Sequence, residues 1–160
     1  MLRFRDAFLQ HRRRLAGMAV LLGAPASGAE DLVDDAFAAT FGPWRAGRVD
    51  DLRAYLRRAV INGVHSQGRR ERARSHWLAR QHASKAVAPV EERLADHERL
   101  IAALRQLPVE LRTTVVLRFC EDLTEQDAAA AMDVAVGTVK SRTARGLKRL
   151  RRILEENDHG

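Results

Sequence analysis

Apolar residues return every three or four positions along most of this 160-residue chain, and no segment alternates as a strand does, so the pattern predicts helices throughout. Phe4, Phe8, Leu15, Met18, Ala19 and Leu22 fall on one face of a first helix, which Gly23 and Pro25 close. Ser27 and Glu30 have the spacing of a capping box that opens a second helix. Its apolar stripe is Val33, Ala36, Phe37, Thr40, Phe41 and Trp44, and Gly42 and Pro43 end it. A third helix starts near Asp51, with Leu52, Tyr55, Leu56, Ala59, Val60 and Val64 inward and Arg53, Arg57 and Arg58 outward.

From Gly68 to about Glu92 the period fades, and Arg, His, Ser, Ala and Pro89 predominate, with Trp77 the one large apolar residue. A second unit begins with Leu94, Ile101, Leu104 and Leu107 and is broken at Pro108; a further helix covers Val109 to about Phe119. Thr124 caps a short helix to Met132, with Asp127 as the reciprocal partner. After the turn Asp133-Val134-Ala135, a long final helix buries Val139, Leu147, Leu150 and Leu154. The expected fold class is all-α. Two small helical domains, 1–70 and 94–156, are joined by a flexible linker with some helical tendency over 71–93.

Charge changes this picture by giving the helices a partner. The chain has 28 basic and 21 acidic residues, a net charge of +7 and a pI near 10.8, which points to a polyanion. The charges are sorted: residues 53–80 hold eight arginines against one glutamate, and residues 135–154 hold seven cations and no acid. Stretches 21–52 and 81–134 are net acidic. Lysine occurs only at 85, 140 and 148, so the cations are nearly all arginine, the residue suited to bidentate contact with phosphate or guanine. Two basic blocks, each on an amphipathic helix, suggest two contact surfaces for one extended polyanion. A single cysteine, Cys120, excludes an internal disulfide and any multi-cysteine zinc site, and is expected to pack as a small hydrophobe. No run approaches the roughly 20 apolar residues of a membrane span, and the arginine-bearing start does not read as a signal peptide. The expectation is a soluble, cytoplasmic protein.

The capped short helix, tight turn and basic final helix have the spacing of a helix-turn-helix. Gly137 and Thr138 open the final helix, whose first N–H groups can hold a phosphate. Side chains of its first two turns can face base edges, and later cations such as Lys148, Arg149, Arg151 and Arg152 hold phosphates more naturally. The second helix carries Glu30, Asp31, Asp34 and Asp35, stacked at i, i+4. Early acids suit a helix N-terminus, which accounts for Glu30 and Asp31 but not for Asp34 and Asp35. An acidic face on a basic protein suits a basic protein partner. Paired carboxylates also serve as general acid and base or hold magnesium, but nothing nearby supplies a nucleophile, a phosphate loop or a histidine partner. His65, His76, His82 and His97 show no ligand spacing. No catalytic residue, metal or cofactor is therefore expected.

Four segments in register resemble the sigma-70 family, specifically the small extracytoplasmic-function sigma factors. Ala29-Glu30-Asp31-Leu32-Val33-Asp34-Asp35-Ala36-Phe37 resembles that family's region 2 helix, with Asp34-Asp35 in place of Gln-Glu. Ala54 to Asn62 is similar to its Trp-Leu-x-Arg-x-x-x-Asn helix, with Tyr55 in the Trp position. Leu104-Arg105-Gln106-Leu107-Pro108 and Val136 to Arg142 resemble the opening and the recognition helix of region 4. Departures are Asp133 where the helix-turn-helix usually has glycine, Gly146 where alanine is common, a cost of about 1 kcal/mol, and a small Ala144 at a frequent DNA contact.

The resemblance implies the roles. Region 2 binds the clamp helices of the polymerase beta-prime subunit and reads the melted −10 element; region 4 binds the beta flap and reads the −35 duplex. Glu30, Asp31, Asp34 and Asp35 would face polymerase. Arg48, with loop residues 46–51, and Arg57, Arg58, Asn62, Arg69 and Arg70 would handle the −10 strand. Gly137, Thr138, Lys140, Ser141, Arg142, Ala144, Arg145, Lys148 and Arg149 would meet the −35 element. The implied partners are core RNA polymerase, promoter DNA and, frequently in the family, an anti-sigma factor, without membrane insertion. The competing reading is a free-standing helix-turn-helix regulator, which accounts for 98–154 and leaves 1–70 without a role. A nucleic-acid-processing enzyme lacks any catalytic cluster.

Overall fold

The computed structural model describes residues 2–78 and 92–160, and among these every regular element is helical. Helix α1 (Leu2–Leu22) and helix α2 (Ala26–Arg45) form a hairpin, and α3 (Leu52–Leu78) completes the N-terminal unit. Helices α4 (Glu92–Arg105), α5 (Val109–Val115), α6 (Glu125–Met132) and α7 (Val136–Asp158) follow, with a π-helical turn over Val116–Cys120 extending α5.

The α1–α2 turn needs its glycine. Gly23 has φ +117°, and a Cβ there would lie 2.7 Å from Nη1 of Arg112. Arg112 reaches this corner because its guanidinium donates to the carbonyls of Leu104, Arg105 and Leu107 at the end of α4, and to Leu22 O at 3.1 Å. One side chain thus satisfies helix-end carbonyls of both halves of the chain, groups that have no partner within their own helix.

Several expected boundaries shift. The capping box is not formed: Pro25 is the N-cap of α2, Ser27 lies inside the helix and no side chain caps it. Pro43 does not end α2, which runs to Arg45. A proline removes one N–H, and the last turn is held instead by aromatic packing, with Phe4 at 5.2 Å from Phe41 and 5.1 Å from Trp44 between ring centres. Asp51 does cap α3, accepting from Ala54 N–H at 3.0 Å. Helix α3 continues to Leu78, through the first part of the segment expected as linker; residues 79–91 of that expectation lie outside the described residues. Thr124 caps α6 by accepting from Asp127 N–H at 3.0 Å.

The phase of α7 also differs. Val139, Gly146, Leu150 and Ile153 are buried, Leu154 only partly, and Leu147 is exposed. Gly146 explains the rotation: a Cβ there would come within 2.7 Å of Val115 Cγ2, so α7 crosses α5 at the glycine. The residue that looked like a weak helix position is a close-approach point. Asp133, in the place of a turn glycine, holds φ 56° and ψ 49° at the end of α6, a left-handed conformation that Asp tolerates better than most residues.

The two units are not separate cores here. Buried residues from Leu15 to Val64 and from Ala103 to Ile153 form one apolar cluster, with α1 packed on α4 and α5 and α3 on α6. Cys120, expected inside, is exposed. Among the described residues no helix is long and apolar enough to cross a membrane.

Candidate nucleic-acid interface

Helix α7 presents its cations as a continuous face. Gly146, Leu150 and Ile153 turn towards α5, which leaves Lys140, Ser141, Ala144, Arg145, Lys148 and Arg149 exposed and Arg142 half-buried. Arg142, Arg145, Lys148, Arg149, Arg151 and Arg152 line an open cavity of about 840 Å³ with Pro108, Glu110 and Leu111 of α5 and Glu155. Six cations against two acids give that groove a strongly positive field. At the front of the helix, Ala135 is the N-cap, and its carbonyl takes the N–H groups of Thr138 and Val139. Ser141 donates back to Thr138 O, and Lys140 Nζ lies 3.8 Å from Glu125. The exposed Gly137 and Val136 stand at the tip of the helix.

The second basic surface is on α3, where Arg53, Arg58, Arg69, Arg70, Arg72 and Arg74 are exposed and Arg57 is buried. Arg57, expected outward, is only 9% exposed. Burial depresses its basicity, partly offset by Glu121. Tyr55, expected inward, is exposed, whereas Leu56, Val60 and Val64 fill the core as expected and Ile61 joins them. Arg58 Nη2 lies 4.0 Å from Asp133 Oδ2. Arg58, Asn62, His65, Arg69 and Arg72 line a cavity of about 550 Å³ whose other wall is Glu110, Thr113, Met132, Asp133 and Arg142. His65 Nε2 is 3.0 Å from Thr113 Oγ1. Since that hydroxyl donates to Val109 O, it accepts from the imidazole. Burial first, and the neighbouring Arg69 and Arg112 next, push the His65 pKa below its ordinary value. Arg48 shares a second cleft with Tyr55, Arg57 and Arg58, while Arg69 and Arg70 are exposed.

The acidic helix face is also divided. Arg12 Nε and Nη2 grip the two oxygens of Asp34 at 2.7 and 2.9 Å, and Arg12 Nη1 lies 3.4 Å from Glu30. This two-point grip holds the Asp34 carboxyl below the usual carboxylate range. Asp34 therefore turns towards α1, correcting the expectation that it faces outward without a structural role. Asp31 and Asp35 point to solvent. Sequence reasoning missed Arg12, Arg14, Arg112 and Glu121, because each has a partner 22 to 107 positions away and no periodic signal marks them. Among the described residues no group of three or more His, Cys, Asp or Glu is placed to hold a metal ion.

Comparison with known proteins gives these surfaces a context. Residues 97–150 match the family described as Sigma-70, region 4. The chain is 35% identical over 156 residues to the RNA polymerase sigma-E factor of Streptomyces coelicolor, spanning 96% of this chain and 82% of that protein. It is 36% identical over 155 residues to the ECF RNA polymerase sigma factor SigM of Mycobacterium tuberculosis, spanning 94% and 76%. Among solved structures it is similar to the sigma factor RpoE of Bartonella quintana in complex with the anti-sigma factor NepR, with a TM-score of 0.81 and 26% identity over 97% of this chain and 98% of that one. A likeness in fold alone extends to CnrH in complex with the cytosolic domain of CnrY, at a TM-score of 0.74 and 21% identity.

Proposed function

Because this chain belongs to the sigma-70 family, among the RNA polymerase sigma factors of the extracytoplasmic-function class, we propose a division of labour between its two halves. The chain binds core RNA polymerase and directs promoter-specific initiation through −35 and −10 elements. Its family consists of transcription regulators rather than enzymes. Residues 94–156 form the −35 module: Lys140, Ser141, Arg142, Ala144 and Arg145 meet base edges, and Gly137, Thr138, Lys148 and Arg149 hold phosphates. Residues 1–70 form the −10 and polymerase module. Arg48, Arg57, Arg58, Asn62, Arg69 and Arg70 handle the strand. Asp31 and Asp35, with Glu30 at the rim, face the polymerase, whereas Asp34 serves that surface by anchoring α2 to α1. The clamp helices and the beta flap are the polymerase elements engaged, and an anti-sigma factor is a further partner. The cytoplasm is where such a partner set is met.

The observation that carries this reading is the exposed cationic face of α7 on a chain related along its whole length to sigma factors. Transcription in vitro with core polymerase tests it. The intact chain is expected to start transcripts only with core enzyme, and Asp31→Lys with Asp35→Lys to abolish retention of polymerase at ordinary salt, since like charges then face each other at a cost of several kcal/mol. Undiminished retention by that double variant removes the polymerase assignment. Tight, specific duplex binding without core enzyme would favour a free-standing regulator.

A further inference from the structure

The cavity of about 550 Å³ between α3 and the α5–α7 segment gathers more positive charge than its own acids offset. Arg58, Arg69 and Arg72 line it from α3 and Arg142 from α7, against Glu110 and Asp133. Asp133 is already 4.0 Å from Arg58, and among the described residues Arg69, Arg72 and Arg142 belong to no ion pair. Arg72 is anchored beside the cavity by its Nε, which donates to Gly68 O at 3.2 Å. His65, on the same wall, feels the excess: burial first, then Arg69, Arg112 and Arg72, lower its pKa, with Glu110 as the opposing acid. The rest of the lining is mixed. Val109, Ala131, Met132 and Val134 supply an apolar side, and Asn62 and Thr113 supply polar ends. The volume falls within the range of small-molecule sites, which pair apolar walls with a few convergent polar groups. Guanidiniums brought together without acids repel one another, and an anion between them removes that cost. Arginine grips phosphate through two parallel hydrogen bonds, so linked phosphates can meet both walls at once.

We propose that this cavity binds a small polyphosphate anion, whose linked phosphates bridge Arg69 and Arg72 of α3 to Arg142 of α7. A nucleoside triphosphate and inorganic polyphosphate share that chemistry, and the apolar side favours the one that carries a base. Binding itself is independent of the DNA roles given above. Its consequence rests on them: Arg58, Asn62 and Arg69 are assigned to the −10 strand and Arg142 to the −35 element, so the bound anion and the promoter exclude each other.

Calorimetric titration of the full chain tests this, with ATP, inorganic tripolyphosphate and orthophosphate as probes at about 0.15 M salt and without divalent cations. ATP and tripolyphosphate are expected to fill a single site, and orthophosphate, which cannot span the walls, to bind about tenfold more weakly. Tighter binding of ATP than of tripolyphosphate supports the base on the apolar side; equal affinity assigns the site to inorganic polyphosphate instead. Arg69→Gln and Arg142→Gln, from opposite walls, should each weaken tripolyphosphate binding about tenfold. Arg74→Gln removes the same charge from an exposed position of α3 outside the cavity and should change binding by less than about twofold. In the saturated chain the His65 pKa should rise towards its ordinary value, because phosphate offsets the neighbouring guanidiniums. Equal losses from Arg74→Gln and Arg142→Gln, or a His65 titration unmoved at saturation, would reduce the binding to general attraction by a basic chain and overturn the site. Binding that meets these tests while saturating tripolyphosphate leaves both single-stranded and −35 duplex DNA bound as before would overturn the DNA assignment of these arginines and not the site.

Discussion

Helices α3 and α7 are both rich in arginine, yet they meet different neighbours. On α7 the cations lie beside an open groove with Glu110 and Glu155 as its acids. On α3 the equivalent charges run into the C-terminal half: Arg57 is buried, Arg58 meets Asp133, and His65 on the same helix bonds Thr113. A count of charges treats the two helices as equals. Their surroundings leave the cations of α7 beside an open groove and set those of α3 against the C-terminal half, with Arg57 alone of its arginines buried.

That contrast is broken most directly on α7. Arg145→Ala is expected to lose about 1–3 kcal/mol on the cognate −35 duplex, a drop of roughly five- to 150-fold, for the free chain as well as with polymerase. Arg151→Ala should weaken cognate and scrambled duplexes alike and lower the salt slope by about one. Arg57→Ala should leave duplex binding by the free chain unchanged and reduce initiation only with core enzyme. Gel shifts at several salt concentrations, beside transcription assays, separate the three. Identical effects of Arg145→Ala and Arg57→Ala on the free chain would remove the distinction between the helices.

The seat of α7 comes next in size. Gly146→Ala gains about 1 kcal/mol of helix propensity but drives a methyl into Val115, and overpacking costs about 1–3 kcal/mol, so the net expectation is a loss near 1 kcal/mol. Thermal melting checks it; a variant with a higher Tm would show that α7 can shift off α5 freely.

In the N-terminal half, the Arg12–Asp34 grip makes stability depend on acidity. The folded chain holds the Asp34 carboxyl below its ordinary pKa, so the stabilisation is complete above about pH 4 and is lost as pH falls through that range. Asp34→Asn should melt slightly below wild type at neutral pH, the difference kept small by the pair's solvent exposure, and converge with it once the Asp34 carboxyl of the folded chain is protonated. Curves that stay parallel would show that the grip contributes nothing.

The smallest effect belongs to the contact between the halves. His65 is held neutral, beside Arg69, Arg72 and Arg112 with Glu110 as the opposing acid, and its folded pKa is lowered. Its contribution is therefore full above the unfolded value near 6.5 and fades as pH drops below it. Moving from pH 7.5 to 5.5 should expand the chain slightly at fixed salt, and His65→Gln should abolish that response in scattering.

The hydrophobic period, with Gly23, Asp51, Pro108 and Thr124 as punctuation, was enough to set the helices, because each boundary depends on a local backbone rule: a glycine that takes positive φ, an acid or hydroxyl that caps, a proline that cannot continue. The cationic face of α7 was legible for the same reason, since seven cations without an acid sit within one helix. Periodicity says which side of a helix is turned inward but not what waits there. That Asp34 is gripped while Asp31 and Asp35 are free depends on Arg12, 22 positions earlier in the chain. That Arg57 is buried depends on a second half folding back to bring Glu121 beside it, and that Gly146 rather than Leu147 faces α5 depends on how closely two helices approach. Charge pairing and close packing act through space between residues distant in sequence, so only the tertiary structure decided which charges this chain keeps for itself and which it offers to DNA and polymerase.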